Sequence, residues 1–397
     1  MSKETNDIIN AFKEAQMHGR QTALATVVHV DGSSYRRPGA RMLVEDNGKI
    51  TGAISGGCLE GDALKKALLA IAQQQNKLVV YDTLHEEDAA FGVQLGCNGI
   101  VHILFEPIDA NKPANAIELL EKSISQRKNS ALVTLFSLNH PHHPQPGTCL
   151  LYDGETAYGN LDDDYMLNTL KEEALHVLAH KSSLIKQFAG EELTVFVELI
   201  EPPISLVIVG AGNDAMPLVQ MAAVLGWQTT VVDGRITHAN KQRFPGVKQI
   251  IVGKPAEVVK QLFIDNRTVF VLLTHNYNYD LAMMELLIRQ SCGYVGVLGP
   301  KKKLNRMLME LEDRGHSLTE DQLSKIYGPT GLDIGAETAE EIALAILSEI
   351  KAVLNNRDGN SLRHREGVIH DRFTKRQEEW KQVQTMNSDG SGKNQWK

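Results

Sequence analysis

The apolar, β-branched run Thr22-Ala-Leu-Ala-Thr-Val-Val-His-Val30 has no helical period, which predicts a buried strand behind a short amphipathic helix over about residues 8–18. Two short strands, Arg41 to Glu45 and Lys49 to Ile54, flank Asp46-Asn47-Gly48, where Asn-Gly supplies the positive φ angles of a hairpin. From Glu60 to Gln73 the apolar positions Leu64, Leu68 and Ile71 return at helical spacing. A strand is expected again at Ile100 to Phe105. Beyond Pro202-Pro203 the texture changes to apolar strands alternating with helices: Leu206 to Val209, Gln228 to Val232, Gln249 to Val252, Val269 to Thr274 and Tyr294 to Leu298. That alternation predicts an α/β region with a doubly wound parallel sheet.

The first region repeats itself. Residues 23–45 and 131–153 share six identities in 23 positions without a gap, Ala23-Leu-Ala-Thr-Val27 matching Ala131-Leu-Val-Thr-Leu135 and Pro38-Gly39 matching Pro146-Gly147. Composition alone gives roughly one or two. Both copies finish on an apolar strand closed by Glu-Pro, at Glu106-Pro107 and Glu201-Pro202. A mixed β/α domain over residues 1–201, built from half-units of about 20–107 and 128–201, is therefore expected, followed by a second domain over 204–355 and a polar tail over 356–397. The copies differ after the hairpin. The first carries Ser55-Gly-Gly-Cys-Leu-Glu60, the second Gly159-Asn-Leu-Asp-Asp-Asp164, so the first is expected to hold the chemistry.

Composition narrows the class without naming a reaction. The 397 residues exceed one hydrophobic core. A net charge of −8 sets up a field that repels polyanions and argues against nucleic acid. The first twenty residues lack a signal-peptide core and no segment has 18 continuous apolar residues, so a cytoplasmic protein off the membrane is expected. Four cysteines, Cys58, Cys97, Cys149 and Cys292, form neither a disulfide ladder nor a CxxC pair.

Two of them sit where thiol chemistry is plausible. Cys58 follows Gly56 and Gly57 just before a helix, whose dipole favours a thiolate, although Glu60 and Asp62 in the first turn oppose it. Cys97 lies in a second glycine loop, Leu95-Gly-Cys-Asn-Gly99. Together they offer soft ligands or nucleophiles to a metal or a sulfur species; the alternative is that each is a small buried hydrophobe. Arg36 and Arg37 suit a phosphate, or are simply solvated. His140-Pro-His-His-Pro144 lacks companions at ligand spacing and is taken as an exposed loop, while Cys149 and Cys292 lie in apolar runs and are taken as packing.

In the second region Gly210-Ala-Gly-Asn-Asp-Ala215 stands between a strand and the helix Pro217 to Leu225, with Asp233 ending the next strand. Gly210 and Gly212 permit a tight turn and close approach to a phosphate, Ala215 permits close helix packing, and an acid at Asp233 suits ribose hydroxyls. This order predicts a Rossmann-type domain, whether or not a dinucleotide such as NAD(P) is bound. His275, at a strand end, is the one candidate for acid or base catalysis, and Lys301-Lys-Lys303 at a helix start suits a phosphate or plain solvent.

The stretch Ala23 to Val27, Gly32-Ser-Ser34, Pro38-Gly-Ala-Arg-Met42 and Gly52-Ala-Ile-Ser-Gly-Gly-Cys-Leu-Glu-Gly61 resembles the N-terminal domain of the XdhC/CoxI family of molybdoenzyme accessory proteins. Gly210 to Ala215, Thr274-His-Asn276 with Tyr277 and Asp280, Gly296-Val-Leu-Gly-Pro300 and Gly331 to Glu337 resemble its Rossmann domain. The resemblance implies a chaperone that binds molybdenum cofactor, as the pterin or its cytosine dinucleotide, keeps it sulfurated with a cysteine desulfurase and delivers it to a xanthine dehydrogenase-type apoenzyme; a homodimer is a possible assembly. It implies that Cys58 and Cys97 face the cofactor, as possible ligands to its molybdenum. Asn98 and Asn213 depart from the glycine and histidine common in the family. The rival expectations are an NAD(P)-dependent oxidoreductase using His275 and a nucleotide-sensing regulatory module.

Overall fold

The computed structural model describes residues 2–82, 99–159, 161–188 and 193–366. Residues Lys3–Pro202 form one compact unit and Pro203–Arg365 another.

In the first unit, α1 (Ser2–Met17) precedes β1 (Thr22–Gly32), β2 (Arg41–Glu45), β3 (Ile50–Gly52), α2 (Glu60–Gln73), β4 (Lys77–Asp82) and β5 (Gly99–Ile108). The same order follows in α3 (Ala116–Ser125), β6 (Ser130–Phe136), β7 (Gly147–Tyr152), β8 (Ala157–Gly159), α4 (Asp164–His180), β9 (Leu184–Gln187) and β10 (Thr194–Ile200). Each set makes an antiparallel five-stranded sheet, β3-β2-β1-β5-β4 and β8-β7-β6-β10-β9, so the two half-units share one topology.

Strand alternation decides which side chain goes where. Ala23, Ala25 and Val27 on β1, with Ile103 and Phe105 on β5, pack against Ala63, Ala67 and Ala70 of α2. In the second half Ala131, Val133, Val195 and Val197 pack against Leu170, Ala174 and Val177 of α4. The opposite faces join. Leu24 and Leu43 meet Leu132 and Leu151 around Ile8 and Phe12 of α1 and Ile117 and Leu120 of α3. Val28 and Leu104 meet Phe136 and Phe196. Both faces are thus dry, which explains why β1 and β6 are nearly continuous apolar runs instead of alternating with polar residues.

Polar contacts cross the same seam reciprocally. Glu106 pairs in register with Leu24, as Glu198 does with Leu132. Those leucines are 132 − 24 = 108 residues apart, the offset of the repeat, so Glu198 and not Glu201 is the structural counterpart of Glu106. Buried Glu198 receives both Nη atoms of Arg41, Nη1 at 3.2 Å. Buried Glu106 accepts from the Thr148 backbone N–H at 2.6 Å and its hydroxyl at 2.9 Å. Burial pushes the Glu106 carboxyl upward, against the Thr148 hydrogen bonds and the Arg41 charge. Gly147, at φ +92°, is required there, since a Cβ would lie 2.6 Å from Glu106 Oε1.

The second unit runs β11 (Ser205–Val209), α5 (Ala215–Val224), β12 (Gln228–Asp233), β13 (Gln249–Val252), α6 (Pro255–Val259), β14 (Thr268–Leu272), α7 (Tyr277–Leu287), β15 (Tyr294–Val297), α8 (Lys301–Asp313), α9 (Glu320–Leu323), β16 (Ile326–Tyr327) and α10 (Ala339–Val353). All strand pairs are parallel in the order β13-β12-β11-β14-β15-β16. Leu206 and Ile208 face α5 and α10, while Val207 and Val209 face α7 and α8. This is a doubly wound Rossmann sheet, and the order reverses between β11 and β14, where such folds take ligands. Among the described residues no helix is long and apolar enough to cross a membrane.

Candidate functional site

In the first unit the turn ahead of α2 is held by Ser55. Its buried hydroxyl accepts from the Gly57 and Leu59 N–H groups, both at 3.1 Å, and donates to Glu60. Glu60 also accepts from the Ser55 N–H at 2.9 Å. Burial would raise the Glu60 carboxyl, but these hydrogen bonds outweigh it and hold it below the usual range. Glu60 is thereby spent on the turn, and Asp62 accepts from Tyr81 at 3.0 Å.

The turn presents Gly56 and Gly57 to solvent with Cys58 half-buried behind them, two residues before the first helical residue. Gly57 has φ +108°. The exposed Tyr35 ring lies beside Gly56, 3.5 Å from where a Cβ would stand, which brings the arginine loop to the glycine turn. Arg36 reaches both oxygens of Glu4 at 2.5 and 2.6 Å, and Glu4 also accepts from Ala53 at 3.3 Å, so Arg36 anchors its loop to α1. Arg37 is half-buried beside it, and its carbonyl accepts from Ala40. Cys97 lies outside the described residues.

In the second unit Gly210, at φ +123°, passes so close to β14 that a Cβ would sit 2.6 Å from the Leu273 carbonyl. Gly212 has open space in front of it, and Ala215 is fully buried at the start of α5. Asp233 closes this loop from inside: Oδ2 accepts from Ala211 N–H at 2.8 Å and from Arg235 Nη2 at 2.9 Å, and Oδ1 takes the Arg235 backbone N–H and Nε, both at 2.9 Å. Burial opposes ionisation of Asp233, but these donors hold its carboxyl low. A ribose at this position would share Asp233 with Arg235. Arg243, which sequence reasoning passed over, clamps the loop through the Ala211 carbonyl at 2.8 Å and Asn213 Oδ1 at 2.9 Å.

His275 follows β14 at φ +55°, a left-handed conformation uncommon for a residue with a side chain, and its Nε2 stands 3.4 Å from Asp214 across the crevice. Both are exposed. Of the lysine run, Lys303 turns inward to the wholly buried Asp280 at 2.7 Å and the Leu298 carbonyl at 3.0 Å, leaving Lys301 and Lys302 at the surface.

A third constellation went unread in the sequence. His29 and His102, less than a tenth exposed, face each other across β1 and β5 with ring centroids 5.1 Å apart, and Asp31 Oδ1 lies 3.0 Å from His29 Nε2. Burial, with the neighbouring His29, pulls His102 down to about 4 against the charge of Asp31. The spacing His29-x-Asp31 was the available signal; its partner stands 73 residues on from His29.

The family model described as "XdhC and CoxI family" matches residues 15–82, and that described as "XdhC Rossmann domain" matches 206–350. The chain is 29% identical over 343 residues to a Bacillus subtilis protein named as a probable subunit of xanthine dehydrogenase, covering 86% of this chain and 95% of that protein. It is 22% identical over 361 residues to the "Molybdenum cofactor insertion chaperone PaoD" of Escherichia coli, covering 91% and 92%. A crystal structure titled as a xanthine dehydrogenase from Bacillus halodurans superposes with a TM-score of 0.71 at 28% identity, over 90% of this chain and 98% of that one. With the glycine-glycine-cysteine turn in one unit, the Rossmann crevice in the other and a family match in each, this chain belongs to the XdhC and CoxI family.

Proposed function

We propose that the chain binds molybdenum cofactor as cargo and serves as its insertion chaperone for a xanthine dehydrogenase-type enzyme. The observation that carries this is the turn at Ser55–Cys58: a thiol behind two exposed glycines whose backbone is fixed from within by Ser55 and Glu60. Glycines admit a bulky ligand close to the backbone, and a soft thiol suits a molybdenum and dithiolene cargo. Tyr35 offers an aromatic face beside the turn. The relatives named for xanthine dehydrogenase and for cofactor insertion cover nearly the full length of the chain, which supports the same reading. In its finer form the proposal adds Cys97 as a second thiol, Arg37 near the cofactor phosphate, acceptance of sulfurated cofactor from a cysteine desulfurase and release to the apoenzyme in the cytoplasm.

The test uses the full chain incubated with cofactor released from a donor molybdoenzyme and then gel-filtered. Wild-type protein is expected to retain pterin and to activate apoenzyme, and Cys58→Ala/Cys97→Ala to lose at least about tenfold of both with an unchanged melting temperature. Equal retention by the double variant overturns the pocket.

A second ligand belongs to the crevice at Gly210. Its open Gly212, the strained His275 and the Asp233–Arg235 pair favour a phosphate-bearing nucleotide of the NAD(P) class. Mass spectrometry of small molecules released on denaturation checks this. Hydride transfer on a substrate panel, abolished by His275→Ala, is the result that would replace the chaperone reading with an oxidoreductase.

A further inference from the structure

We propose that His29, Asp31 and His102 form a binding site for a divalent transition-metal ion of the zinc class, separate from the cysteine turn. The three side chains offer two imidazole nitrogens and a carboxylate oxygen, all within 4.8 Å of one another, the only such group among the described residues. Two nitrogens and one oxygen at this spacing are a donor set that Zn²⁺ and its neighbours accept, with positions left for water. Nδ1 of His29 and Nδ1 of His102 are both buried, and neither has a hydrogen-bond partner among the described residues. Two adjacent buried imidazoles with unsatisfied nitrogens are unfavourable in a mere core, and a cation that takes one nitrogen from each ring explains why both are there. Asp31, with 58% of its side chain exposed, keeps the site open to solvent on one side.

The backbone is bent to make this group. Up to Val27, which pairs with Ile103, odd-numbered residues of β1 face α2. A β-bulge then shifts the register, so that His29 and not Val28 stands opposite His102. Val28 joins the cluster of Leu104 and Phe136 on the far face, and Val30 packs on the α2 side. Without the bulge His29 and Asp31 would point toward α2, away from His102. Bulges re-aim side chains in this way beside functional sites. The second half has no shift at this point: Leu135 pairs with Val195 and Phe136 with Thr194, and 108 residues beyond His29 and Asp31 stand Ser137 and Asn139. The second half has its own shift elsewhere, between β6 and β7 at Val133/Thr134, so the β1–β5 bulge and the ligands occur together in the first half and have no counterpart at the equivalent point of the second.

The experiment uses the full chain stripped with chelator and titrated with Co²⁺ alone by visible absorption, and with Zn²⁺ alone followed by gel filtration and elemental analysis. One equivalent per chain is expected. His102→Gln, His29→Gln and Asp31→Asn should each weaken binding at least about tenfold, while Cys58→Ala/Cys97→Ser and His140→Gln/His143→Gln should bind as wild type. Because Asp31 is exposed, its variant should fold normally even if a histidine variant does not. Absence of retained metal in the wild type, unchanged binding by Asp31→Asn, or loss of binding in the cysteine variant would each overturn the site.

Discussion

The two halves of the first unit have the same element order and the same strand order, yet among the described residues only the first has the glycine-cysteine turn and the facing histidines. Where the first half has Ser55-Gly-Gly-Cys58 before α2, the second enters α4 through Asp163, whose carboxylate caps Tyr165 and Met166. Where the first bulges to set His29 opposite His102, the second pairs Leu135 with Val195 and Phe136 with Thr194 without a shift. A duplicated scaffold conserves what buries apolar surface, because each half supplies the wall of the shared core that the other lacks. Turns and bulges change at little cost to that core, so chemistry can occupy one copy and leave the other as support.

The largest test of this contrast lies at the seam. Arg41→Ala should cost about 3–5 kcal/mol in urea unfolding, because it strands buried Glu198; Arg41→Met with Glu198→Leu should cost much less than the sum of the single variants. Its counterpart on the other side is uncharged at Thr148, and Thr148→Val should cost only about 1–2 kcal/mol. Equal losses would mean that the two contacts are equivalent and the halves more alike than their side chains suggest.

Next comes the equipped turn. Ser55→Ala removes the acceptor for two backbone N–H groups and is expected to cost about 1 kcal/mol in thermal denaturation while lowering cofactor retention more than stability. An unchanged retention would show that the turn need not be preorganised.

Thiol labelling gives a gentler comparison. In a Cys97→Ser background Cys58 should react first with an alkylating reagent at pH 8. Cys149, pushed up to about 12 by burial and by the Glu106 charge, and Cys292, raised by burial to about 11, remain thiols there. Raised pKa values leave the thiolate scarce until the pH approaches them, so labelling of Cys149 should climb roughly tenfold per pH unit from 7 to 9. Rapid labelling of Cys149 at neutral pH would remove the distinction. The smallest effect is expected from His143→Gln in the second half: that loop is tied by Gln145 to the carbonyls of His140 and His143, so stability should stay within about 0.5 kcal/mol.

Much of this architecture was legible in the residues. The parallel sheet followed from strands alternating with helices, and the β11–α5 turn followed from Gly210, Gly212 and Ala215, with Gly210 lying so close to Leu273 that no side chain fits. The Glu-Pro pairs misled by similarity: Pro107 lies inside β5, whereas Glu201 falls beyond β10, and register equates Glu106 with Glu198. Arg36 looked like a phosphate ligand because a sequence cannot show Glu4 folding back onto it. Lys303 likewise gave no sign of the buried Asp280 it neutralises.

Local rules therefore determined the elements, the duplication and the glycine turns, since period, turn chemistry and steric room are properties of neighbouring residues. Tertiary structure alone decided which charges were committed to partners and which polar groups converged. Simple alternation would place His29 on the α2 face, and only the strand pairing of β1 with β5, shifted by one residue, turns it toward His102. A one-residue shift reverses the face of a side chain without leaving a trace in the hydrophobic pattern on either side of it.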